Sequence, residues 1–163
     1  MKNFKTFLTE QSKFSDEHIE EAKKLASDIE SVIKKNFPNG YCEVGYREAL
    51  GSHLIVNFGL ISDRSDVAHG IRNNDPVNHT FIIHMKSNGT YEAVNLTGSI
   101  STKPEEGSYM AMSRVKTPFR KTKGDAKKIL KAFETFFPRL KKLVNDNRDN
   151  IYKVEEIKDK YFK

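Results

Sequence analysis

The chain of 163 residues has a single cysteine, Cys42. One thiol cannot close a disulfide within the chain, so no disulfide-built scaffold is implied and zinc sites that need several cysteines are excluded. Cys42 reads as a packed strand thiol; a nucleophile pair with a distant histidine is the weaker reading. No run approaches the roughly 18 apolar residues of a membrane helix, and the N-terminus lacks the apolar core of a signal peptide, so no membrane partner is expected. A Gly-rich phosphate loop, a nucleophile elbow and a His-Glu-x-x-His zinc helix are all missing. None of the triplets that begin at His18, His53, His69, His79 and His84 completes a His-x-Thr or His-x-Ser phosphoesterase pair. Neither catalysis nor a cofactor is expected. There is no internal repeat or low-complexity tract, and the length suits a single domain with a sizeable core.

What the chain does have is positive charge in one place. The net charge is +6 and the pI about 9.3. Between positions 114 and 148 stand twelve basic residues against three acidic ones, a local +9 that leaves −3 for the rest. Such a stripe either holds phosphates through counterion release or forms a solvated helix face that keeps the protein soluble.

Periodicity gives the element order. Ser15 or Asp16 can cap a helix in which Ile19, Ala22, Leu25, Ala26, Ile29, Val32 and Ile33 recur three and four apart, up to the Phe37-Pro38-Asn39-Gly40 stop. The period then changes to two. Residues 41–48 and 53–61 read as one hairpin, and residues 79–86 and 90–97 as a second, joined by Ser87-Asn88-Gly89. Residues 98–107 are turn-rich, and residues 109–116 read as a fifth strand at the sheet edge. A helical stripe of Ala126, Ile129, Leu130, Phe133, Phe137, Leu140 and Val144 follows over about 125–145, with Pro138 placed to kink it or divide it into two. Ile151, Val154, Ile157 and Tyr161 suggest a last amphipathic helix. The expected fold is α+β: an antiparallel sheet of four or five strands, with an N-terminal helix and two or three C-terminal helices packed on it.

Three places could carry function. Interleaved with aromatic rings, Arg114, Lys116, Arg120, Lys121, Lys123, Lys127 and Lys128 could track a nucleic-acid backbone while one ring, Tyr109 or Phe119, stacks on a base. The competing reading has Phe119 filling the core beside Pro118. The polar segment 62–78 holds Asp63, Asp66, His69 and Asp75, an enzyme site if these converge with His53 or His79. His79 and His84 lie five apart on one strand and so face opposite sides, which removes them as a shared metal pair.

The third place is the N-terminus. In residues 1–10, Phe4, Phe7 and Leu8 would share one side of a short helix, with Lys2 and Lys5 beside them. This stretch resembles the capsid-targeting sequence of the internal head proteins of T-even-type bacteriophages. In that family the leader carries the protein into the prohead, and the prohead protease then cuts after a Leu-x-Glu or Ile-x-Glu site. Leu8-Thr9-Glu10 matches the site, which would place the cut before Gln11 and divide the chain into a leader, 1–10, and a single basic domain, 11–163. An amphipathic N-terminus packed on its own domain accounts for the same ten residues. A second triplet, Ile19-Glu20-Glu21, lies inside the first helix, where a protease that needs an extended chain could not easily reach it.

The resemblance implies a protein packaged beside DNA in the virion interior, then delivered to the host cytoplasm, where it could counter a host defence protein. Its partners would be the prohead scaffold or protease, through the leader, and packaged DNA or the defence protein. A nucleic-acid-binding module without sequence preference is the alternative, and an enzyme with its site in the 62–78 segment the second.

Overall fold

The computed structural model describes residues 14–48, 51–60, 75–103, 113–152, 158 and 161–162. The chain begins with helix α1 (Asp16–Asn36). Its start is fixed locally: the Ser15 hydroxyl accepts a hydrogen bond from the His18 backbone N–H at 3.1 Å. Asp16 and Glu17 sit at the positive end of the helix dipole, and Lys34 and Lys35 at the negative end. Ala22, Leu25, Ala26, Ile29 and Ile33 are its buried stripe. Phe37 ends it by donating its N–H to the Ile33 carbonyl, and Pro38 prevents continuation.

Strands β1 (Tyr41–Arg47), β2 (His53–Gly59), β3 (Val77–Met85), β4 (Tyr91–Thr102) and β5 (Ser113–Lys116) follow as an antiparallel meander, and β6 (Thr122–Gly124) returns to β4. β6 pairs with the first residues of β4, Tyr91 to Ala93, whereas β5 pairs with the last, Ser99 to Thr102. Helix α2 (Ala126–Asp146) then packs beside α1, and both lie on one face of the sheet. That is the expected α+β layer.

The sheet's alternation separates a core face from an open face. On β3, Val77, His79, Phe81, Ile83 and Met85 are buried, while Asn78, Thr80, Ile82 and His84 point the other way. Phe58, Phe81, Phe133 and Phe137 interlock under the helices, each buried ring contributing about 1.5–3 kcal/mol. On the open face the register lines up Arg47, His53, His84, Glu92 and Lys123 in one row across the strands.

Several boundaries differ from those the sequence suggests. β3 begins at Val77, so the last residues of the polar segment belong to the sheet. β4 continues to Thr102, through half of the stretch read as turns, because β5 supplies its partner and Ser101 donates to the Pro76 carbonyl at 2.7 Å. Just before that stretch β4 accommodates a bulge: Phe81 faces Asn95 and Thr80 faces Thr97, leaving Leu96 as the extra residue, 56% exposed. Pro138 neither divides nor ends α2, which is one helix of 21 residues. Glu134 and Pro138 are both exposed, so the carbonyl that loses its helical partner faces water, and buried Phe133, Phe137, Leu140 and Val144 hold the helix on either side. Ile151 does not open a final helix but bridges to Thr102 in extended conformation. Lys158 and Tyr161 are helical, the Lys158 carbonyl accepts from Phe162 N–H, and Tyr161 stacks on Phe37; Val154 and Ile157 lie outside the described residues.

Candidate nucleic-acid interface

The site is built by the short return from β5 to β6 and by one flank of α2. Thr117 is buried, and its hydroxyl lies 2.7 Å from His79 Nε2, which ties the start of the return to the core. Pro118 stiffens the next step, and Phe119 enters the aromatic cluster against Phe81, Phe133 and Phe136. The Thr122 hydroxyl then donates to the Arg120 carbonyl at 2.8 Å and closes the turn into β6. Asp125 caps α2 by accepting from the Lys128 backbone N–H at 2.9 Å.

Helical spacing does the rest. Lys128, Lys131, Ala132, Thr135 and Arg139 follow at steps of one, three and four along one flank of α2, and this flank faces Phe119 and Arg120 across a cleft of about 290 Å³. The Lys128 stem is laid along Gly124, where an added Cβ would come within 2.6 Å of Lys128 Cδ. Phe119 and Phe136 provide an aromatic floor, with Arg120, Lys128, Lys131 and Arg139 around it. Among the described residues no carboxylate lines this cleft. Four cations around a low-dielectric apolar surface attract and hold a polyanion, and the concave shape focuses the field.

The seven basic residues singled out from the sequence do not form one patch. Arg120 and Lys128 line the cleft. Arg114 and Lys116 lie on β5 opposite Ser101 and Ser99, on the open face of the sheet. Lys127 is exposed on α2, away from the cleft flank. Lys121 and Lys123 are turned to Glu92, where they meet Lys86 from β3's end: Lys121 pairs with Oε1, and Lys86 and Lys123 lie 3.2 and 3.6 Å from Oε2. Hydrogen bonds from Lys121 and Lys86 hold the Glu92 carboxyl down at about 2. Lys131 and Arg139 belong to the cleft although sequence reasoning counted them only in the regional charge. The signal that finds them is the helical step from Lys128 to Lys131, Thr135 and Arg139.

The other candidate chemistry fares differently. Phe119 packs against the core, as one of the two sequence readings has it, and also lines the cleft. His79 and His84 face opposite sides as expected: His79 is fully buried and its imidazolium pKa falls to about 3 through burial, while His84 is exposed. His53 sits directly opposite His84 in the open-face row, with Nδ1 2.7 Å from the Gly51 carbonyl. Burial pushes the Cys42 thiol up to about 12, against nucleophilic use. Asp75 is buried, and its carboxylate accepts the Val77 backbone N–H at 3.0 Å as a turn cap. Asp63, Asp66 and His69 lie outside the described residues, as do Tyr109 and residues 1–13. Among the described residues no cluster of three or more His, Cys, Asp or Glu could hold a metal ion, and no helix is long and apolar enough to cross a membrane.

Comparison of the chain with family models, with curated proteins and with solved structures gives no match.

Proposed function

We propose that this protein binds nucleic acid through the phosphate backbone, without reading sequence, in the cleft between the 117–121 return and α2. One observation carries the reading: Arg120, Lys128, Lys131 and Arg139 surround a cleft that no carboxylate of the described residues lines. Such an arrangement leaves the cations' charge uncompensated by the described lining, and a row of phosphates compensates it by releasing counterions. The test is the salt dependence of oligonucleotide binding. Four phosphate contacts give a slope of log K against log salt of about −3 for a single strand. A slope near zero, or no binding at low salt, removes the proposal.

A second reading sets this binding in a phage head. In it the protein is an internal head protein, packaged beside DNA after losing residues 1–10 and delivered with the genome, where it meets host defence. The cap of α1 favours it: Ser15 closes the helix and Phe14 contacts His18, and both contacts are made by residues downstream of the Glu10–Gln11 bond. Mass spectrometry of protein extracted from mature heads should find a chain beginning at Gln11. Intact Met1 there would discard this reading and leave the phosphate-binding proposal standing.

A further inference from the structure

A site for bare phosphates needs cations and hydrogen-bond donors, and an aromatic floor adds nothing to it. This cleft has such a floor. Phe119 is half-buried, its body held by Phe81, Phe133 and Phe136 at centroid distances of 5.0, 5.3 and 5.4 Å. None of these rings lies parallel to it; the interplanar angles are 68°, 42° and 81°. The ring is thus fixed by its neighbours without a face-to-face partner among them. Pro118 before it and the His79–Thr117 hydrogen bond behind it hold the backbone, so little freedom is lost when a flat group settles on it.

The cleft's size narrows the occupant. About 290 Å³ lies at the lower end of ligand pockets and takes a single nucleotide unit. A duplex turns its bases inward and would touch only the cationic rim, leaving the Phe119 floor unused. A single strand offers both parts at the right scale: an unpaired base with a flat face, and phosphates on either side of it. The cations stand on both walls, Arg120 on the return and Lys128, Lys131 and Arg139 on α2, as a strand crossing the cleft requires. An acidic peptide would satisfy the rim but has no flat group to match the floor.

We infer that the cleft takes single-stranded nucleic acid, seating one base on Phe119 while the flanking phosphates lie on Arg120, Lys128, Lys131 and Arg139. The inference rests on the phosphate-binding reading above and goes further by naming the strand state and the ring that holds the base. Stacking of a base on an aromatic side chain is sequence-tolerant, so oligo-dT serves as the probe.

Fluorescence anisotropy compares labelled oligo-dT with an abasic strand of the same phosphate count, with a duplex, and with poly-glutamate as competitor. The wild-type protein should bind oligo-dT at least about fivefold more tightly than the abasic strand. Phe119→Leu should erase that preference and leave the salt slope unchanged, while Phe119→Tyr should keep it. The thymine protons should also shift upfield on binding to the wild-type protein, a ring-current readout that needs no variant. Equal affinity for oligo-dT and the abasic strand, stronger binding of the duplex, or displacement by poly-glutamate as effective as by oligo-dT would overturn the inference and leave electrostatic binding standing. Failure to bind any of the strands at low salt removes the phosphate-binding reading itself.

Discussion

Arg120 and Lys121 are neighbours in the chain and end on opposite sides of the sheet. Arg120 opens onto the cleft, together with Lys128, Lys131 and Arg139. Lys121, with Lys123 and Lys86, is drawn to Glu92 on the open face. Among the described residues the first group of cations has no carboxylate within its cleft, whereas the second shares one. The alternation of β6 separates them: Lys123 stands opposite Glu92 in the register, and Thr122, one residue before it, turns to the cleft side. Equal charge in the sequence therefore becomes unequal charge available to a ligand.

The largest test of that contrast compares two paired neutralisations. Lys128→Gln with Arg139→Gln should weaken oligonucleotide binding by about tenfold to a hundredfold and flatten the salt slope by about 1.4, two phosphate contacts' worth. Lys121→Gln with Lys123→Gln should change affinity by less than about threefold by the same measure. Equal losses from both pairs would mean that the two faces bind alike.

Acid should separate the two regions next. His79, which anchors the cleft's return through Thr117, is neutral in the folded state with a pKa of about 3, against about 6.5 when unfolded. The unfolded chain takes up the proton first, so stability is complete above pH 6.5 and falls as the pH drops from there towards 3. Between pH 7 and 5 the loss amounts to about 2 kcal/mol in urea denaturation. His79→Leu should remove most of that loss, leaving the smaller slope from His84, whose pKa is also lowered by burial and by Lys86. Glu92, held at about 2, works in a different window: its contribution is present above its unfolded value near 4.5 and lost only as the pH falls through 2. Acid thus reaches the cleft's anchor before it reaches the open-face cluster.

Thr117→Val isolates the anchor without changing charge. It leaves His79 Nε2 buried without its partner, at a cost of about 1.5 kcal/mol in the denaturant midpoint. The smallest effect is expected from Glu92→Gln. It frees Lys86, Lys121 and Lys123 on the open face, away from the cleft, so the salt slope should change by less than about 0.7, one phosphate contact's worth. A slope steeper by more than that would show that these lysines reach the bound strand.

Much of the fold is legible in local pattern. The stripe from Ile19 to Ile33, the Ser15 cap and the stop at Pro38 define α1 almost to the residue, because cap, stripe and stop are each local interactions. Both hairpins follow from period-two alternation and the Ser87-Asn88-Gly89 turn. The turn-rich residues 98–102 do not announce a strand, since their extended form depends on β5 and on the Pro76 carbonyl, both distant in sequence. β6 has three residues, too few for periodicity to register, and exists because the first residues of β4 offer it an edge. Pro138 reads as a breaker because its effect on its own turn is local, while the burial that keeps α2 whole comes from the sheet beneath it.

The sequence by itself determined the amount and region of positive charge, the α+β order and the rings available to a site. Which cations are free for a ligand was decided only by tertiary structure. Charge is a property of each residue, but its availability depends on where the pleat and the helix turn send the side chain and on whether a carboxylate from another strand waits there. Glu92, some thirty residues before Lys121 and Lys123, captures them only because β4 lies beside β6.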